Sequence, residues 1–183
     1  KDFNDNLINR FLEDVGNSNI SQRGQSLLKN GLQTSGNLFL LEHESVKHMV
    51  GIIESKLAEY RSFYQNRNDG LVKNWPKKYR LFGWLIQIKS GGSLSSHMHN
   101  EGWLSSSIYL KRPNKKKEHD GDIAFCLDGG NFPEIHQLQS EKEIIDINKG
   151  DMVSFPSSLF HSTVPFSSDE DRVTLAFDVI PSE

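Results

Sequence analysis

Cysteine and long apolar runs are scarce in this sequence. Cys126 is the only cysteine among 183 residues, so no disulfide can form within the chain, and an oxidising compartment is not implied. We expect it to be a small buried residue. No apolar stretch approaches the roughly 18 residues of a membrane span, and no signal-peptide pattern opens the sequence. We therefore expect a cytoplasmic protein that does not contact membranes.

An excess of positive charge is also missing. The chain carries 21 Lys and Arg against 24 Asp and Glu, a net charge of −3. Because a nucleic-acid partner favours a basic face, we expect none. The basic run Lys115-Lys116-Lys117 fits a solvated loop tip. The length suits one domain, which we expect to consist of a helical support in residues 1–75 and a β-strand core in residues 76–183.

Two helices are predicted in the first third of the chain. Apolar residues recur at helical spacing from Asp5 to Val15. A second helical stripe runs from Ser45, a candidate N-cap, to about Phe63. Residues 20–41 between them are mixed and interrupted by glycines.

The hydrophobic period changes to two after Pro76. Alternation over 82–88 predicts a strand that Gly91-Gly92 would close. Six further strands are predicted, at about 95–100, 104–111, 122–127, 143–147, 151–155 and 172–180. The expected fold is mainly β (α+β), a double-sheet jelly roll with the N-terminal helices packed on one sheet.

Histidines carry the chemistry. On a strand, residues two apart share a face, so His97 and His99 can present both imidazoles to one point. His161, from a distant strand, would supply a third. Neutral imidazole is a common ligand of mid-row transition metals, and three ligands on one face leave further positions open.

An arginine accompanies the histidines in the last third of the chain. Arg172 lies eleven positions after His161, on the face of the last predicted strand opposite Val173 and Leu175. It could line the barrel and hold a carboxylate through two parallel hydrogen bonds. Alternatively it is a surface residue paired with Asp169 or Asp171.

The runs HMHNEGWLSSSIYL, GDMVSFPSSLFHSTVPF and DRVTLAFDV together resemble a known family. They are similar to iron(II)- and 2-oxoglutarate-dependent oxygenases with a double-stranded β-helix core. The pattern is that of a largely bacterial branch with H-x-H…GWLSG…YL and FP-x-x-x-x-H…R-x-S/T motifs. The upstream run GLQTSGNLF also resembles that branch, so the likeness spans most of the chain.

The resemblance implies an activity and roles for named residues. His97 and His161 match the two histidine ligands of iron. Arg172 and Thr174 match residues that hold the distal carboxylate of 2-oxoglutarate, and Tyr109 stands where many members place a tyrosine bonding the same group. A core aromatic is the other interpretation of Tyr109. The implied enzyme is a dioxygenase that uses molecular oxygen to hydroxylate a small molecule or a protein side chain.

Two positions depart from the family pattern. His99 stands where the superfamily usually has a carboxylate, so three options are open for the third metal position: His99 itself, Glu101 as part of an alternative H-x-E, or water. Ser106 replaces a usual glycine, which would either narrow the pocket or be harmless. We expect no catalytic residues beyond the metal ligands.

A cupin-like metal protein without 2-oxoglutarate is the main alternative function. Three histidines suit zinc as well as iron, but a cupin has no need of a carboxylate anchor such as Arg172. The remaining candidates are weaker. We expect a solvated His119, a loop residue in His136 that could border the substrate entrance, and a structural role for Trp103.

Overall fold

A computed structural model of the chain describes residues 2–127, 129 and 142–182. Helix α1 spans Asp5–Asn17, helix α2 Glu44–Tyr64 and the short helix α3 Gly70–Lys73, and a 3-10 turn covers Leu38–Leu40. The strands within these ranges are β1 Gln22–Arg23, β2 Leu28–Thr34, β3 Tyr79–Leu94, β4 Leu104–Lys111, β5 Ile123–Cys126, β6 Glu143–Ile145, β7 Met152–Pro156, β8 Phe160–Thr163 and β9 Arg172–Pro181.

The strands form two antiparallel sheets. The larger has the order β1-β2-β3-β9-β4-β7, and the smaller has the order β6-β5-β8. Strand β9 lies at the centre of the larger sheet, between β3 and β4. This arrangement is the expected double-stranded β-helix.

The helices cover the outer face of the larger sheet. Buried residues of α1 and α2, such as Phe11 and Met49, share one core cluster with Val173, Leu175 and Phe177 of β9. Since side chains alternate along a strand, the intervening residues of β9 face the other way, toward the smaller sheet. The predicted packing of helices on one sheet is confirmed, and it leaves the inner face of β9 for the site.

Three local predictions are wrong. Strand β3 does not end at Gly91-Gly92 but continues to Leu94, because β2 pairs with it on both sides of a register shift. Residues 95–100 form no strand, and only His97 makes an isolated bridge, to His161. The Ser45 hydroxyl does not cap α2 but bonds the Asp14 carboxylate of α1.

The segment before α2 also differs from expectation. Residues 22–34 supply strands β1 and β2 of the larger sheet, although glycines and polar residues hide the alternation there. Cys126 is buried, as expected. Within the described part of the chain, no helix is long and apolar enough to cross a membrane.

Candidate active site

Backbone hydrogen bonds join the two sheets at the histidines. His97 N–H donates to His161 O at 3.0 Å, and His161 N–H donates to His97 O at 2.9 Å. Two residues further along the chain, His99 N–H donates to Ser157 O at 2.9 Å. These bonds fix three imidazoles at one end of the sandwich, although the segment from 95 to 100 is not a strand.

The three imidazoles converge. One ring nitrogen from each of His97, His99 and His161 lies within 4.8 Å of the other two. The ring centroids of His97 and His161 are 4.3 Å apart, and those of His99 and His161 are 5.0 Å apart. Bonds of about 2.0–2.2 Å from three nitrogens to one ion fit within such separations.

Each imidazole is oriented by an acceptor at its Nδ1 atom. The His97 Nδ1 atom is 2.8 Å from Ser95 O, and the His161 Nδ1 atom is 3.1 Å from Leu159 O. A carbonyl oxygen can only accept, so these Nδ1 atoms carry the proton and a neutral ring has its lone pair on Nε2. Such a bond behind a ligating histidine is the usual arrangement in metal sites.

Burial keeps two of the rings neutral. It lowers the pKa of His97, and it lowers the pKa of His161 to about 3, with smaller contributions from the neighbouring imidazoles. A neutral imidazole can donate its lone pair to a cation, whereas imidazolium cannot. The donor set therefore fits a divalent transition metal.

A buried carboxylate stands behind His99. The His99 Nδ1 atom donates to Asp178 Oδ1 at 2.8 Å, and Ser105 Oγ donates to the same oxygen at 2.6 Å. Ser157 Oγ lies 2.8 Å from Ser105 Oγ. The chain turns tightly beside this network, because a Cβ at Gly102 would lie 2.4 Å from Ser157 Oγ. The sequence analysis did not identify this contact, because His99 and Asp178 are 79 positions apart in the chain.

Arg172 lies on the same inner face. It is 4% exposed, its Nε donates to Gly121 O at 2.8 Å, and its Nη1 donates to Thr174 Oγ1 at 2.8 Å. The interpretation of Arg172 as a surface residue is wrong, since its side chain is buried. Asp171, one of the two proposed surface partners, accepts a hydrogen bond from Gln87. No carboxylate within the described ranges pairs with this guanidinium, and burial lowers its pKa.

Tyr109 lies beneath the guanidinium. Its ring centroid is 5.1 Å from the Arg172 Cζ atom, and its ring packs in a core cluster with Ile123 and Phe155. Its hydroxyl is buried and finds no hydrogen-bond partner among the residues described. Burial raises the pKa of Tyr109 to about 12, so the phenol keeps its proton. The interpretation of Tyr109 as a core aromatic describes this position, and a bond from its hydroxyl to the carboxylate of 2-oxoglutarate stays a prediction.

One cavity connects these groups. It has a volume of about 460 Å³ and is lined by both sheets, including His97, His99, His161, Arg172 and Thr174. Tyr109 is not among the lining residues. A buried cation in the lining of a cavity, with no carboxylate partner among the described residues, is a group that an anionic ligand would satisfy.

The other candidates have different outcomes. Glu101 is exposed and does not join the histidine cluster. The Ser106 hydroxyl bonds Ser154 Oγ, at 2.8 Å. The His119 side chain is partly exposed, and its Nδ1 atom also lies 3.3 Å from the buried Asp122 carboxylate. The Trp103 indole donates to Leu71 O and packs on the helical side. His136 lies outside the described residues.

Comparisons with known proteins agree with this site. A family described as "Putative 2OG-Fe(II) oxygenase" matches residues 83–178, just over half of the chain. This segment runs from β3 to β9 and contains the three histidines. No match was found among curated proteins.

Solved structures share the fold at low identity. HygX from Streptomyces hygroscopicus, solved with nickel and 2-oxoglutarate bound, superposes with a TM-score of 0.68 at 15% identity over 99% of this chain and 80% of that one. A prolyl-4-hydroxylase from Pseudomonas putida gives 0.63 at 10% identity, over 98% and 89% of the two chains.

A viral collagen prolyl hydroxylase from Paramecium bursaria Chlorella virus-1, in complex with 2-oxoglutarate, gives a TM-score of 0.61 at 15% identity, over 99% and 93%. At such identities these structures show the fold, whereas the family match covers the segment that carries the histidines and Arg172. The chain therefore belongs to the 2-oxoglutarate- and iron(II)-dependent oxygenases, and its cofactors are iron(II) and 2-oxoglutarate.

Proposed function

We propose that this oxygenase hydroxylates a C–H bond of a small-molecule or protein side-chain substrate in the cavity between its two sheets. His97, His99 and His161 hold the iron, and Arg172, Thr174 and Tyr109 receive the distal carboxylate of 2-oxoglutarate. One observation carries the proposal: three converging imidazoles line the same cavity as a buried arginine, which has no carboxylate partner among the residues that the structure describes.

His99 fills the third metal position in this proposal. Its ring belongs to the cluster, whereas the exposed Glu101 does not. The hydrogen bond from His99 to Asp178 accounts for the absence of the usual carboxylate ligand. The negative charge is retained in the site, one hydrogen bond farther from the metal, and it makes the His99 imidazole a stronger donor.

Arg172 anchors the cosubstrate. Removing an arginine from water is costly unless an anion accompanies it, and here the carbonyl of Gly121 and the hydroxyl of Thr174 are its partners. A carboxylate would pair with the rest of the guanidinium and accept a hydrogen bond from the Thr174 or Tyr109 hydroxyl. The buried Tyr109 phenol is protonated, as that bond requires.

Iron(II) and 2-oxoglutarate, held by these residues, would supply the oxidation of a C–H bond: one atom of molecular oxygen would go to the substrate and the other to succinate, with release of carbon dioxide. The chain's own residues would orient the reactants. The histidines would hold the metal at one end of the cavity, and Arg172 would hold the cosubstrate.

Calorimetry under anaerobic conditions tests the proposal. We expect iron(II) to bind with the stoichiometry of one site per chain, and 2-oxoglutarate to bind only after the metal. On admitting oxygen, succinate should form even without a substrate, at a slow rate. Tight metal binding with no effect on 2-oxoglutarate would instead support a metal protein of the cupin kind.

Paired variants test the third metal position. His99→Ala should reduce iron affinity strongly, since it removes a direct bond. Glu101→Ala removes a nearby carboxylate that lies outside the cluster, so it should leave the affinity close to that of the unaltered protein. The reverse order would transfer the role to Glu101.

A further inference from the structure

The cavity extends outward from the histidines along one face of β3. Arg80, Phe82, Trp84 and Ile86 alternate on that strand, and all four line the cavity. The rings of Phe82 and Trp84 have centroids 6.1 Å apart, and Trp84 is 5.6 Å from the His99 ring. These side chains form a continuous path from the protein surface to the three histidines.

An arginine begins this path. The Arg80 Cζ atom lies 5.8 Å from the centroid of the Phe82 ring. A guanidinium over an aromatic face keeps its N–H groups in the plane available for a carboxylate. Arg80 is exposed and has no carboxylate within ion-pair distance among the described residues.

The balance of charge in the cavity differs from that of the whole chain. Its lining contains three arginines, at 23, 80 and 172, and two carboxylates, at 101 and 178, a balance of +1 with neutral histidines. The chain as a whole carries −3. Arg172 serves the cosubstrate and Asp178 bonds His99, which leaves Arg23, Arg80 and the exposed Glu101. The strand register places Arg23 level with Ile86, six residues along β3 from Arg80, so the two arginines lie at different points of the cavity. Neither arginine forms an ion pair with Glu101 or with any other carboxylate that the structure describes.

We infer that the prime substrate is a small organic anion carrying a flat ring, whose acid group binds Arg80 while the ring packs on Phe82 and Trp84. This inference rests on the proposed function. Aromatic pairs and charge-assisted bonds to arginine are the interactions that such a molecule would make. A cavity of about 460 Å³ lies within the usual range for small ligands.

The strand geometry sets the length of the substrate. Trp84 lies four positions after Arg80 on an antiparallel strand, so their Cα atoms are about 13 Å apart. An acid group at Arg80 therefore places the oxidised carbon on the opposite side of the ring from the acid. Small acids without a ring would reach the arginine but not the aromatic side chains.

Matched ligands test the inference. The probes are 4-phenylbutyrate and its neutral amide, 4-phenylbutyramide, with hexanoate as the acid without a ring. Each is titrated into protein loaded with nickel(II) and 2-oxoglutarate without oxygen, and binding is followed by ligand-observed NMR. The variants are Arg80→Gln and Arg23→Gln, the second at the other exposed arginine of the cavity. Arg10→Gln, at an exposed arginine of α1, is the control.

We expect 4-phenylbutyrate to bind about 10-fold more tightly than the amide and than hexanoate. The preference for the acid should be lost in Arg80→Gln, persist in Arg23→Gln and Arg10→Gln, and weaken with added salt, because exposed charges are screened. Equal binding of acid and amide, no binding of either, or an unchanged preference in Arg80→Gln would overturn the inference. Binding of 2-oxoglutarate is measured in the same samples, so its loss would identify a failure of the proposed function instead.

Discussion

Each residue of the site owes its role to its immediate partners. An H-x-H step is common in proteins, but here each of the three rings has its Nδ1 atom held by an oxygen acceptor. Arg172 is buried beside a cavity and shares its hydrogen bonds with neutral groups. These contacts make specific predictions for single substitutions.

Arg172→Ala should raise the apparent 2-oxoglutarate requirement by about 30-fold or more, because a buried charge pair that loses one partner costs on the order of 2–5 kcal/mol. Iron content should stay nearly unchanged, since arginine is no metal ligand. Arg172→Lys should restore binding only in part, having the charge without the fork. Calorimetry with metal present measures both, and unaltered 2-oxoglutarate binding in Arg172→Ala would remove the anchor from the account.

Asp178→Asn should lower iron affinity by about 10–100-fold, the usual effect of altering a group that orients a metal ligand. The amide oxygen can still accept from His99, so the change isolates the charge. Glu101→Gln is the matched control, because it removes one carboxylate from the same cavity without touching His99. Equal affinities in the two variants would show that Asp178 has no part in holding the metal.

At the scale of elements, strand β9 links the core to the site. Its odd-numbered residues pack against the helices, and its even-numbered residues from Arg172 to Asp178 line the cavity. The close packing of the helical layer on this sheet is visible at Gly83 of β3, where an added Cβ would lie 2.5 Å from the Phe39 ring. Phe39 in turn contacts Phe177 of β9.

Two glycine substitutions should therefore have opposite effects on stability. Gly83→Ala should reduce the free energy of unfolding by about 1–3 kcal/mol, because the methyl group forces the Phe39 ring to move. Gly51→Ala, at an exposed position within α2 with open space around it, should raise it by about 0.5–1 kcal/mol. Denaturant titrations measure both, and a neutral or stabilising Gly83→Ala would show that this interface is loosely packed.

The elements that the sequence predicted are those whose pattern is local. Helix α2 follows a 3.6-residue period, and β9 a strict alternation, so both were found with their faces correctly assigned. Strand β2 was missed because it pairs with β3, more than fifty residues away, and strand β1 because it pairs in turn with β2. The bond between His99 and Asp178 joins residues 79 positions apart, and no local pattern in the sequence indicates it.

At the scale of the whole molecule, the fold buries histidines in their neutral form, which does not stabilise the metal-free protein. The pKa of His161 is lowered to about 3 in the folded state from an ordinary value of 6.5. Between these values the unfolded chain binds more protons than the folded one. The free energy of unfolding must therefore fall as the pH is lowered through this window.

We expect the metal-free protein to lose stability steadily from about pH 6.5 downward. His161→Gln removes one of the groups responsible, so its stability should depend less steeply on pH over the same window. Thermal unfolding of both proteins in chelator between pH 7 and pH 4 compares the two slopes. Identical slopes would mean that His161 protonates as readily in the folded protein as in the unfolded chain.

The central claim is that three histidines and one arginine hold iron(II) and 2-oxoglutarate together in the cavity. A crystal grown without oxygen in the presence of iron(II) and N-oxalylglycine, an analogue of 2-oxoglutarate, tests it most directly. The account predicts iron bonded to nitrogens of His97, His99 and His161 at about 2.0–2.2 Å, with the distal carboxylate of the analogue on Arg172. Iron bonded to Glu101 in place of His99, or an analogue bound away from Arg172, would contradict it.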